Sequence, residues 1–238
     1  WLWDEIMANQ EGEMKKEQLE IRLIFKSIPF HVLIFAITFI GAGRIDYWQG
    51  WIFNGLNIIF LLLSFLLLSP ELVRERLKFK REGIKKWDKI CLLVSAPVSF
   101  CTLIVSILDG GRFSWKPRVP ITIIIIGIIV YSIGQTIVLW AKKVNKFFFP
   151  VVRIQKGQTV CKDGPYRFVR HPGYLGGLLY TIAIPIVLGS FWGLIPATIA
   201  VILLTIRTYL EDKTLQTELP GYVDYTKEVK YRLLPKIW

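Results

Sequence analysis

The chain has 238 residues, of which 53% are hydrophobic, and carries a formal net charge of +12. That length would ordinarily hold one or two soluble domains, but the apolar residues are gathered into long uncharged runs, which excludes a soluble fold with periodic core positions. Three scattered cysteines exclude a disulfide framework and a zinc site, so no metal is expected.

Residues 1–20 are acidic and polar rather than basic then apolar, so no secretory signal is expected, and 1–27 predict a cytosolic N-terminal segment. The first apolar stretch is 28–43, with His31 as its one ionisable residue well inside; a packed, hydrogen-bonded structural role is expected for it. Window 51–69 contains no charge at all and meets the roughly 20 apolar residues that a membrane crossing requires. The basic loop 70–89 comes next. Leu72, Val73, Leu77 and Phe79 alternate there with charges and Trp87 suits a headgroup layer, so the loop reads either as an amphipathic interfacial helix or as a solvated basic connector. Windows 90–108 and 119–140 supply two further spans. The stretch 174–206 is apolar but broken by Pro185 and then by Gly189 to Gly193. It predicts a hairpin of two short helices, 174–188 and 193–210, each near the lower limit for a crossing.

The expected fold is therefore an all-α integral membrane protein with about four transmembrane helices over 28–140 and a C-terminal helical hairpin within 141–238. Charge tests this layout independently. Cytoplasmic loops carry the Lys/Arg excess, and 26 of the 30 basic residues fall on alternate sides of the predicted spans, the side holding both termini and the loops 70–89 and 141–173. The net charge then follows from topology and from attraction to anionic headgroups. No basic stripe separates from the membrane edges, so no nucleic-acid partner is expected.

Two polar constellations stand out on that side. The first is Asp163-Gly-Pro-Tyr-Arg-Phe-Val-Arg-His-Pro-Gly-Tyr-Leu-Gly-Gly177. Gly164-Pro165 forces a turn, and Pro172 biases His171 to extended backbone, so a helix is expected to start at about Tyr174 with its positive end beside Arg170 and His171. Helix initiation with small-residue packing explains the same pattern without a ligand. The second is Arg207-Thr-Tyr-Leu-Glu211-Asp212, where Arg207 and Glu211 share one helix face; an interfacial salt bridge is the alternative to a site. No G-x-G-x-x-G following a strand and no P-loop occur, which argues against soluble-type nucleotide binding.

Taken in order, Gly164 to Gly176, Arg207-x3-Glu-Asp-x2-Leu215, Gly221-Tyr-x2-Tyr225 and Tyr231-Arg-Leu-Leu-Pro235 resemble the isoprenylcysteine carboxyl methyltransferase family. Pro70 to Arg76 and Lys86 to Lys89 resemble its prokaryotic members. The RHPGYLG element alone is less specific: it is also similar to segments of phospholipid N-methyltransferases and of NADPH-dependent membrane sterol reductases. The resemblance implies an S-adenosylmethionine pocket at the cytosolic face, formed by the loop before the hairpin and the C-terminal tail. Carried over by motif, Tyr166, Arg170, His171, Pro172, Tyr174, Leu175 and Glu211 would bind the cofactor. Arg207 and Glu211 would be catalytic, with Arg207 facing an acceptor carboxylate. The family's usual Glu-Glu pair is Glu211-Asp212 here, which makes a role for Asp212 less secure than one for Glu211. The implied partners are a lipophilic small-molecule or prenylated substrate and the membrane lipids.

Overall fold

A computed structural model describes residues 27–68, 83–235 and 237–238. The N-terminal segment and most of the basic loop, including its expected amphipathic helix, lie outside the described residues. Among those residues the structure is all helical. In chain order, α1 covers Ser27–Ala42 and α2 Trp48–Leu67. Next, α3 runs over Lys86–Ile107 and continues as a π-helical turn, Leu108–Phe113. The remaining helices are α4 (Ile121–Val144), α5 (Pro172–Val187), α6 (Leu194–Glu218) and the short α7 (Tyr222–Glu228).

Four of these helices, α2, α3 with its π turn, α4 and α6, are long and apolar enough to cross a membrane. Their outward faces carry Leu, Ile and Phe: Leu66, Leu93 and Ile126 are among the large exposed apolar side chains, an arrangement suited to lipid and costly in water. The interior, by contrast, holds small and hydroxylated residues. Thr38, Thr102 and Ser106 are buried, and each hydroxyl donates to the carbonyl four residues earlier, so none of these three hydroxyls is left unpaired among hydrocarbon. The chain is an integral membrane protein.

The hairpin differs from the sequence expectation in its second arm. Helix α5 is short, but α6 has 25 residues, about 37 Å at 1.5 Å per residue, which exceeds a hydrocarbon core of roughly 30 Å. Its last two turns carry the polar cluster described below, whose hydrogen bonds keep it helical beyond the apolar stretch. Helix α5 also begins earlier than expected, at Pro172, because a ring-locked residue without an N–H suits the first helical position.

Two apolar cores result. The larger joins α1 to α5 through Phe53, Leu103, Ile107, Tyr131, Ala183 and Val187; the smaller lies under the tail, around Leu219, Tyr222, Tyr225 and Val229. Helices α4 and α5 cross closely: a Cβ at Gly176 would stand 2.4 Å from the Gly134 carbonyl oxygen. Only two facing glycines permit that distance. This crossing sets the start of α5, and therefore the site, against the end of α4.

Candidate functional site

The segment between α4 and α5 is pinned to the tail by its backbone. Arg170 N–H donates to the Tyr231 carbonyl (2.9 Å) and His171 N–H to the Arg232 carbonyl (3.0 Å). Upstream, Gly164 adopts φ +56°, and a Cβ there would meet the Trp140 indole at 2.8 Å, so the turn requires glycine. That turn buries Tyr166, whose hydroxyl accepts from Asn145 and whose carbonyl accepts from the Tyr225 hydroxyl at 2.7 Å.

One carboxylate organises this corner. Asp212, fully buried on α6, accepts from Arg170 Nε (2.9 Å) and Nη2 (3.1 Å), His171 Nε2 (3.1 Å), the Tyr222 hydroxyl (3.0 Å), Gln216 Nε2 (2.7 Å) and Arg232 Nε (2.8 Å). Arg170 Nη1 donates to the Val229 and Lys230 carbonyls, completing its set of partners. Burial acts to lower the Arg170 pKa, but the Asp212 carboxylate outweighs it and the net direction is upward. Burial and the same carboxylate push the Tyr222 phenol well above its ordinary range, so it stays protonated and donates. Asp212, given the smaller role from sequence, is thus the hub of the loop–helix–tail junction. Tyr222 and Arg232 complete it; both sat in the tail motifs without any individual signal of their partner.

Arg207 and Glu211 share a face of α6 but have different partners. The Tyr174 hydroxyl donates to Glu211 Oε2. The Arg207 guanidinium lies 5.4 Å from the Tyr174 ring centroid and donates through Nε to Asp88 Oδ1 at 2.8 Å, and through Nη2 to the Pro150 carbonyl at 2.8 Å. The simple Arg207–Glu211 salt bridge, which four-residue spacing allows, is not formed. Asp88 was not singled out from sequence, where it fell at the end of the basic loop 70–89 and only within the Lys86 to Lys89 stretch.

A cavity of about 320 Å³ opens between these groups. Tyr166, Arg170, His171, Tyr174, Arg207 and Glu211 all line it, whereas Pro172, Leu175 and Asp212 do not. Pro172 is buried in the first turn of α5. The roof is the loop from Phe147 to Val152 together with Gln158 to Cys161. At its other end the cavity is bounded by Val138, Gly177, Tyr180 and Leu204. Tyr180 lies eight residues into α5, about 12 Å along the helix from its start. The volume is at the lower end of the roughly 300–1,000 Å³ of small-molecule sites. Among the described residues no group of three or more His, Cys, Asp or Glu could hold a metal ion.

Residues 122–219 match the family model described as phospholipid methyltransferase. No curated protein matches the chain. The family segment takes in α4, the roof loop, α5 and α6, and so carries Tyr166, Arg170, His171, Tyr174, Arg207, Glu211 and Asp212; Asp88, Tyr222 and Arg232 lie outside it. The matched family is described as one of methyltransferases.

Proposed function

We propose that the protein transfers a methyl group from S-adenosylmethionine to a lipophilic acceptor at the cytosolic membrane face. The observation that carries this reading is a single cavity with a charged end, at Arg207 and Glu211, and a membrane-depth end, at Gly177, Tyr180 and Leu204. The cofactor supplies an electrophilic methyl on a sulfonium. Glu211, oriented by the Tyr174 hydroxyl, offers the negative charge that a sulfonium and an α-amino group favour. Tyr166, Tyr174 and the phenylalanine-rich roof supply aromatic walls for an adenine ring. Arg170 and His171, bound to Asp212, hold the wall in shape. The surplus of basic residues on the cavity side of the membrane supports a cytosolic orientation.

In the preferred reading the acceptor is a carboxylate of prenylcysteine type, facing Arg207. An ionised carboxylate needs no general base, so alignment and exclusion of water carry the rate; orientation supplies up to about 7–11 kcal/mol in favourable systems. A two-point guanidinium grip on the acceptor does not fit, because Asp88 occupies the Nε–Nη2 edge. The carboxylate would meet Arg207 through Nη1 alone. That same engagement favours a second reading, a lipid amine, with Glu211 accepting the amine proton. Radiolabelled methyl transfer into extracted native lipids and prenylcysteine analogues tests both. Product label released by mild alkali marks a methyl ester and alkali-stable label an N-methyl group; no transfer to any lipophilic acceptor would overturn the assignment.

A further inference from the structure

Asp88 is fully buried in the first turn of α3, and three segments meet on its carboxylate. Arg207 of α6 donates to Oδ1 through Nε at 2.8 Å and to Oδ2 through Nη2 at 3.4 Å. The Val152 backbone N–H, from the cavity roof, donates to Oδ2 at 2.8 Å. The roof answers in both directions: the Pro150 carbonyl accepts from Arg207 Nη2, and the Val152 carbonyl accepts from Lys85 N–H at 3.1 Å. Arg207 in turn faces the Tyr174 ring, and Tyr174 holds Glu211. A contiguous chain of contacts therefore runs from Asp88 to both charged groups of the cavity. Among the described residues, Nη1 is the Arg207 nitrogen that this arrangement leaves without a partner. A buried carboxylate needs a cation and hydrogen bonds, and a guanidinium gripped by one planar edge loses most of its freedom to swing.

We propose that Asp88 is the positioning residue of the acceptor end of the cavity. By one carboxylate it fixes the orientation of Arg207 over Tyr174 and the height of the roof at Val152. Its catalytic consequence rests on the proposed function; its geometric consequence does not. Asp88 acts through Arg207 and does not itself line the cavity.

The test uses Asp88→Asn and Asp88→Glu in the full chain, purified in detergent. For Asp88→Asn, turnover falls about 100-fold, the penalty of an ångström-scale misplacement, while S-adenosylhomocysteine affinity is unchanged. Two readouts need no turnover. Phenylglyoxal modifies Arg207 faster than in the wild type, and the Val152 amide exchanges with deuterium faster. Asp88→Glu retains the charge, restoring slow modification and slow exchange but not full turnover. Unaltered Arg207 reactivity and Val152 exchange in Asp88→Asn would overturn the proposal, as would cofactor affinity falling in step with turnover. If Asp88→Asn does not fold, Asp88→Glu decides: wild-type turnover overturns the proposal, and reduced turnover with intact cofactor binding sustains it. A wild-type protein that methylates no acceptor refutes the proposed function alone, because the modification and exchange rates still judge Asp88.

Discussion

Asp212→Asn is nearly isosteric and removes one acceptor atom from a site where six donors converge. Oδ1 receives Arg170 Nε, His171 Nε2 and the Tyr222 hydroxyl; Oδ2 receives Arg170 Nη2, Gln216 Nε2 and Arg232 Nε. Whichever way the amide turns, its NH2 group faces three donors, and two guanidinium groups lose their counter-charge. Arg170 itself is buried, so water cannot compensate for it. Removing one partner of a buried ion pair costs about 3–5 kcal/mol, a large part of the roughly 5–15 kcal/mol that holds a typical protein folded. At about 2–4 °C per kcal/mol for a chain of this length, the unfolding midpoint falls by about 6–20 °C. The assay is thermal unfolding in one detergent at one scan rate, with Glu218→Gln as the control. The Glu218–Lys85 pair lies at the surface, partly accessible to solvent, and surface pairs contribute about 0–1 kcal/mol. A midpoint for Asp212→Asn no lower than that of the control would refute the view that Asp212 organises the loop, helix and tail.

Glu211→Gln should weaken S-adenosylhomocysteine binding, read by calorimetry, with an unfolding midpoint close to wild type, since Glu211 borders the cavity and one neutral donor, Tyr174, is its partner; unchanged affinity removes it from the site. Cys161 borders the cavity, and burial pushes its thiol pKa above the ordinary value of 9.0. In a Cys91→Ser, Cys101→Ser background its alkylation should therefore be slow at neutral pH, continue to accelerate above pH 9.0, and be retarded by S-adenosylhomocysteine; absence of protection would place the cofactor elsewhere. Gly176→Ala should destabilise by about 1–3 kcal/mol through overpacking against the Gly134 carbonyl. Gly55→Ala, with nothing within 4 Å of its new Cβ, should be neutral or stabilising in the same thermal assay.

The sequence alone determined the class of the protein, because crossing a membrane depends on local quantities: the length of an apolar run and the side on which lysines and arginines collect. Local too was the glycine that turns the chain before Tyr166, whereas the start of α5 was placed two residues late. The motif residues were legible as a set, and the six that border the cavity do so because α4 and α5 cross closely at Gly134 and Gly176. Partner choice was not legible. Four-residue spacing put Arg207 and Glu211 on one face but could not say what stands opposite, and the structure sets Asp88, 119 positions away, against Arg207, and Tyr174 against Glu211. Asp212, one position from Glu211 in sequence, turns about 100° around the helix and meets Arg170, His171, Tyr222 and Arg232 instead. Helical periodicity fixes the direction in which a side chain leaves its helix; which charge it meets is decided only when the helices pack.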